Sequence, residues 1–260
     1  FPEAKQAKTF SYTSWLDDAD IIINFAKLKI HAMMGMSAAA KNMFGVIPGT
    51  MKPEYHFRFP NHEDFARMIV DIDEYFAPKV KLCIADAIVG MEGNGPMGGS
   101  PKEVGYILAS KSVYGLDVTA QTLIGMAPES IATTISALRR GLIDEVVVEG
   151  DDVIPMTDFT PPSTYRVEVK ESWHKKTIYR RLQRVGKIYA PSPVINNKKC
   201  VGCGQCVRIC PVKAAKIVQK KATFDLTNCI RCYCCHEMCQ YDAIDMKRSA
   251  LGTIVHSIIR

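Results

Sequence analysis

The sequence predicts an α/β domain with a largely parallel sheet, followed by a small, cysteine-rich α+β domain. Strands and amphipathic helices alternate in the first half, charge changes sign along the chain, and nine of the ten cysteines lie after residue 199. At 260 residues, 47% hydrophobic and 23% charged, the composition fits packed cores and excludes disordered, collagen-like and coiled-coil chains. No apolar run approaches the length of a membrane span, and the first residues lack the charged start and apolar stretch of a signal peptide. A cytoplasmic protein is expected. The start at Phe1 rather than Met leads us to expect an upstream segment.

Residues 1–162 hold 14 Lys/Arg against 21 Asp/Glu, and the remainder holds 19 against 6. Pro161 and Pro162 mark the change. The expected division is an α/β domain over 1–162, a basic linker over 163–193, a cysteine-rich domain over 194–248 and a tail over 249–260.

Residues 20–28, DIIINFAKL, form a β-branched apolar run between polar residues and predict a buried strand. A helix is expected over 37–44, with Ser37 as N-cap and Gly45 as its stop. Asn61 caps a further helix in which Phe65, Met68, Ile69, Ile72 and Phe76 recur at helical spacing. A strand over 81–86 leads into a run with five glycines in the ten residues 90–99. That run reads as a loop at a strand's carboxyl end, where amides cradle an anion, or as a purely structural wide turn. It matches neither the dinucleotide nor the phosphate-loop fingerprint. A strand over 104–108, helices over 113–124 and 128–140 and a last strand over 145–149 complete a sheet expected to be covered on both faces.

Cys200, Cys203, Cys206 and Cys210 follow the pattern C-x2-C-x2-C-x3-C, and Cys229, Cys232, Cys235 and Cys239 repeat it 29 residues later. Ala214 and Ala243 match in the segments after the runs, so the domain is a duplicated half. Three thiolates at this spacing cap three irons of one cubane, and in two-cluster arrangements the fourth cysteine ligates the other cluster. The expected sets are Cys200, Cys203, Cys206 and Cys239 for one [4Fe-4S] centre, and Cys229, Cys232, Cys235 and Cys210 for the second. Zinc is the competing reading, though its sites usually assemble separated pairs. Residues 194–248 resemble a bacterial-type two-[4Fe-4S] ferredoxin domain. The second run departs from it at Gln240, where proline is common, and it replaces Gly202, Gly204 and Gln205 by Arg231, Tyr233 and Cys234, so unequal potentials are expected. Cys234 is expected to be a spare small residue.

The stretches KLKIH (27–31), KNMFG (41–45), ADAIVGMEGNGP (85–96) and LDVTA (116–120) resemble the family known as domain of unknown function 362, over about residues 15–150. Some members carry a ferredoxin domain, and members usually begin further upstream. The family brings no reaction with it.

Candidate residues follow from chemistry. Lys29, His31, Lys41 and Asn42 follow the first strand, where cationic groups hold a carboxylate or phosphate; a solvated helix face competes. Asp86 and Glu92 form a general acid–base pair or hold a cation, or else Asp86 caps loop amides. The catalytic candidates are thus Asp86, Glu92, Lys41 and His31, and the cofactor-binding candidates Gly90, Gly93, Asn94, Gly95, Gly98 and Gly99. Asp117 and Thr119 are placed near the same loop. His56 and Cys83 read as packing residues. Lys175, Lys176, Arg180, Arg181, Arg184 and Lys187 suggest a basic helix that docks on the acidic half or steers an acidic redox partner; nucleic acid is the weaker reading.

The function expected is electron transfer through two [4Fe-4S] clusters to or from a site on the α/β domain, that of an oxidoreductase with a small-molecule substrate and a flavin or other ligand near the glycine-rich run. A carrier or adaptor without catalysis, and a cluster-containing nucleic-acid-binding protein, are the alternatives.

Overall fold

The computed structural model describes residues 1–164, 191–249 and 253. The basic helix expected within 163–193 therefore lies outside the described residues. A single turn, α1 (Trp15–Asp18), leads into β1 (Ile22–His31), and a three-residue turn returns the chain as β2 (Gly35–Ser37). Helices α2 (Ala39–Met43), α3 (Lys52–Arg58) and α4 (His62–Phe76) follow. They carry the chain to β3 (Val80–Asn94), which folds directly back as β4 (Gly98–Ser110). Helices α5 (Val113–Leu123) and α6 (Ala132–Arg139) close this half.

The sheet order is β2-β1-β3-β4. Only β1 and β3 are parallel; β2 and β4 both run antiparallel to their neighbours. The largely parallel sheet of the sequence reading is thus corrected to a mixed one. The helical crossover between β1 and β3 allows parallel pairing, whereas three-residue connections only allow hairpins. Helices pack on one face, which buries Ala26, Leu28, Ile30, Cys83, Ala85 and Ala87. The other face presents Ile23, Phe25 and Ile107, each at least 60% exposed, with no second helical layer among the described residues.

Helix α4 follows its periodicity. The Asn61 side chain accepts from the Asp64 amide at 2.7 Å, and Phe65, Met68, Ile69, Ile72 and Phe76 are buried. Each such side chain contributes about 1.5–3 kcal/mol by leaving water. From the same helix the buried Asp71 carboxylate accepts from the amides of Lys5, Gln6 and Ala7 and pairs with Arg140 at 2.7 Å, tying the N-terminal segment to α6.

Three local expectations are corrected. The helix after β2 begins at Ala39 rather than Ser37, because β2 still occupies Gly35–Ser37. The expected helix over 128–140 is a 3-10 turn, Pro128–Ser130, and then α6, because Ile131 between them is extended at φ −105° and ψ 121° and interrupts the helix. Residues 145–149 form no strand and remain largely exposed.

The C-terminal half contains β5 (Ser192–Ile195), α7 (Gln205–Ile209) and β6 (Ala215–Val218), then β7 (Lys221–Phe224), α8 (Cys234–Glu237) and β8 (Ile244–Lys247). β5 pairs with β8 and β6 with β7, all antiparallel. The 29-residue repeat is visible in the backbone. Left-handed residues occur at Gly202 and Arg231, at Gly204 and Tyr233, and at Lys213 and Asp242. The amide of Asp225 donates to Ala214 while that of Asn196 donates to Ala243, so each half closes on the other.

Candidate functional site

Cys200, Cys203 and Cys206 of the first run and Cys239 of the second line one small cleft. Ile195, Ile217, Ala222 and Ile244 supply an apolar wall. The loop geometry is demanding: a Cβ on Gly202 would lie 2.4 Å from the Lys220 carbonyl oxygen, and its φ is +72°. Amides point at sulfur in matching places, Ala214 to Cys210 at 3.2 Å and Ala243 to Cys239 at 3.3 Å. Such bonds stabilise thiolate and tune cluster potential. Burial pushes the Cys206 thiol up.

The remaining four cysteines share a neighbourhood. Burial pushes the Cys235 thiol well up, and the nearby Cys232, Cys229, Cys206 and Cys210 add to the effect. The Arg231 amide donates to Cys229 at 3.4 Å. Cys234 is buried and hydrogen-bonds to Cys232, which lowers Cys232 and raises Cys234. Among the described residues, no three His, Cys, Asp or Glu side chains gather in a way that would hold a single metal ion.

The glycine-rich run is no loop; it forms the far end of the β3–β4 hairpin. Its small residues permit close contact. A Cβ on Gly95 would lie 2.3 Å from the Ile30 carbonyl oxygen, one on Gly99 2.5 Å from Met91 Cγ, and one on Gly90 3.3 Å from the Leu28 carbonyl oxygen. Gly93 has φ +81° and donates its amide to Thr160 at 2.8 Å. A Cβ on Gly98 would meet Asp242 and His236, both at 2.9 Å, so this position faces the cysteine-rich half. There His236 Nε2 lies 2.8 Å from the Asn94 carbonyl and Nδ1 2.6 Å from that of Ile244. The Asn94 side chain accepts from the Ser163 amide at 2.9 Å.

The structure separates the four catalytic candidates into three places. Asp86 is an exposed partner of Lys27 at 2.7 Å, and that ammonium holds its carboxyl below the usual range. Glu92 accepts from the Thr160 amide at 2.8 Å. Six steps along the strand separate these carboxylates, on the order of 20 Å, and they do not converge. Asp117 caps α2, accepting from Ala39 at 2.7 Å, and burial pushes it up to about 7. Thr119 donates to the Gly115 carbonyl, and Asn42 donates to Asn24 at 2.8 Å.

His31 and Lys41, by contrast, meet at the junction of the two halves. His31 Nδ1 accepts from the amides of Met33 and Met34, which leaves the proton on Nε2. That nitrogen lies 3.1 Å from Glu237 Oε1, in close contact but off line for a full hydrogen bond. Burial holds His31 well below its ordinary value, with Lys41 adding to the effect, so it is neutral. Burial lowers Lys41 to about 8, the nearby Glu237 partly opposes this, and Lys52 and Lys29 push it further down. Lys41 and Lys52 both lie over the Phe44 ring, at 4.9 and 5.5 Å. His56 stacks on Phe65 with centroids 4.4 Å apart; burial pushes it down to about 3, as its packing role requires. The buried Cys83 is likewise core, and burial raises its thiol to about 12.

Three half-buried lysines therefore face one half-buried carboxylate that stands two residues from both Cys235 and Cys239. Burial raises Glu237, and Lys41 is the first of the charges that lower it again. Sequence reasoning missed Lys52, His236 and Glu237. The signal was the unequal repeat: Val207 and Arg208 of the first run correspond to His236 and Glu237 of the second. A charge reversal inside a duplicated helix marks the copy that faces another surface.

Comparison with known proteins agrees with this division. Residues 1–122 match the family described as Domain of unknown function (DUF362), and residues 193–216 match a 4Fe-4S binding domain. The thylakoid-associated protein sll1697 of Synechocystis sp. is 40% identical over 126 residues, which cover 48% of this chain and 39% of that protein. The chain thus spans about two fifths of the length of that relative. No solved structure matches significantly. Among the described residues no helix is long and apolar enough to cross a membrane. The chain carries a DUF362-family domain at its N-terminus and an iron–sulfur, 4Fe-4S binding domain behind it.

Proposed function

We propose that the chain transfers electrons through two [4Fe-4S] clusters to or from an anion-binding site at the junction, as a ferredoxin-fused oxidoreductase. Cys200, Cys203, Cys206 and Cys239 would hold one cluster, and Cys229, Cys232, Cys235 and Cys210 the other. When bound, the clusters supply single electrons. The observation that carries the reading is the approach of Glu237, inside the second cysteine run, to His31, Lys41, Lys29 and Lys52 of the α/β half.

The residues have separable roles. The lysines attract and orient a carboxylate or phosphate of the substrate, their ammonium groups strengthened by partial removal from water. Neutral His31 holds a proton on Nε2 toward the junction. The hairpin tip, gripped by His236, keeps the two halves at fixed distance. A flavin or other organic ligand is the further partner this chemistry calls for, and acid precipitation would release its chromophore.

A carrier role has its own support. Cys203 is exposed, and the exposed Lys198, Lys213, Lys216 and Lys220 lie on the same half. This arrangement suits an acidic redox protein docking at the first centre. An EPR-monitored redox titration of the anaerobic full chain tests the reading. Two signals are expected, only one of them displaced by Lys41→Gln. Both signals unmoved by that substitution would show that no cluster lies beside the junction and would overturn the reading.

A further inference from the structure

Residues 145–149 have the composition of a strand, yet the structure leaves them unpaired. Val146, Val147 and Val148 are exposed, Val147 at 76%, and among the described residues their backbone makes no hydrogen bond to another segment. Three consecutive β-branched residues with open amides and carbonyls form a strand that lacks a neighbour. The flanks are acidic. Asp144, Glu145, Glu149, Asp151 and Asp152 are all exposed, and none has a cationic partner within ion-pair distance among the described residues.

A complementary edge lies on the other half of the chain. Among the described residues β6 pairs with β7 alone, so its second edge is open. It presents Ile217 and Val218, 38% and 52% exposed, beside Lys213, Lys216 and Lys220. These three lysines are exposed and have no acidic partner within ion-pair distance among the described residues. An open edge with apolar side chains is a template for a further strand. Side chains alternate along a strand, so Glu145, Val147 and Glu149 share one face of the acidic segment. Lys216 and Val218 share one face of β6, and Lys220 follows in the turn two residues on. With Val147 opposite Val218, the two glutamates fall against Lys216 and Lys220 in either strand direction.

We propose that the chain associates with a second copy of itself by strand addition, residues 145–149 of each copy extending the β6 edge of the other. The two segments are not paired with each other within one chain and belong to different halves, so two copies can exchange them reciprocally and close a two-fold dimer. The contact uses no cysteine and no residue of the junction, so it stands apart from the electron-transfer reading.

Sedimentation velocity of the anaerobic, cluster-loaded full chain tests the proposal through a charge swap. A dimer is expected at low ionic strength, weakening as salt is added. The double variants Glu145→Lys/Glu149→Lys and Lys216→Glu/Lys220→Glu should each associate on the order of a hundredfold more weakly, because like charges then face each other across the added strand. Mixed one to one, the two variants should dimerise again, since the strand of each meets opposite charge on the β6 of the other. All four positions are exposed, and unchanged iron content in each variant shows that the fold is kept. A monomeric parent chain, a dimer that survives in both variants, or a mixture that stays monomeric would overturn the proposal.

Discussion

His236, from the second cysteine run, places Nε2 2.8 Å from the backbone carbonyl of Asn94 at the tip of the β3–β4 hairpin. The glycine-rich run, chemically the least obvious part of the α/β domain, is therefore where the iron–sulfur half is gripped. The other imidazole nitrogen faces the Ile244 carbonyl at 2.6 Å, so removing the ring takes the donor away from this pair of carbonyls. His236→Ala should loosen the hairpin by about 1–3 kcal/mol while iron content stays unchanged. Faster hydrogen exchange at Ala32, whose amide donates to Gly95, would record it.

Gly202 and Gly204 both have left-handed backbones, yet they should respond differently to substitution. Gly202→Ala brings a Cβ within 2.4 Å of the Lys220 carbonyl, whereas Gly204→Ala meets only the end of Arg208 at 3.6 Å. Each carries about 1–2 kcal/mol of backbone penalty, and only the first adds a collision. Gly202→Ala should lose a large part of its iron on purification and Gly204→Ala little. Iron analysis of the two variants side by side decides.

Burial holds His56 down to about 3, against an ordinary value of 6.5. Between those values the unfolded chain takes up a proton that the folded chain refuses. Stability therefore falls as pH drops below 6.5, by at most about 1.4 kcal/mol per pH unit. His56→Phe keeps the stacking on Phe65, removes a buried nitrogen without a partner and abolishes this contribution. Its advantage over the parent should grow to about 2 kcal/mol by pH 5. Urea unfolding at neutral and acid pH measures the difference.

Charges at the junction should tune the nearer centre. Glu237→Gln removes a negative charge and should raise its potential by tens of mV, on the order seen for charge and hydrogen-bond changes around clusters; Lys41→Gln should lower it. Because burial lowers Lys41 to about 8, its positive charge disappears as pH rises through that value, and the potential should fall with it. In Lys41→Gln that step should vanish. Redox titrations on either side of pH 8 provide the comparison.

The parts legible in the sequence are those fixed by short-range rules. The cysteine spacing and its 29-residue echo emerge as a doubled backbone, and the i, i+3, i+4 pattern of Phe65 to Phe76 emerges as α4. What local pattern could not show was where distant surfaces meet. Gly95 and Gly99 carry turn chemistry, and the structure places the first in the hairpin turn and the second at the start of β4, where Ile30 and Met91 come too close for a side chain. The direction of β4 was hidden for the same reason, since a glycine-rich hairpin end reads as a loop. At the junction, Lys41 and His31 were recognisable as chemistry-bearing residues, but their counterpart Glu237 lies about 200 residues away, disguised as part of a metal-binding run.

The central claim is that both cysteine runs hold cubanes, with the fourth cysteine of each run exchanged. Iron and acid-labile sulfide per chain, determined on anaerobically purified protein, test it most directly. About eight of each are expected, falling to about four in a Cys239→Ala variant even though Cys203 and its two neighbours in the first run are intact. About four of each in the parent protein would contradict the account, as would a Cys239→Ala variant that kept the full complement.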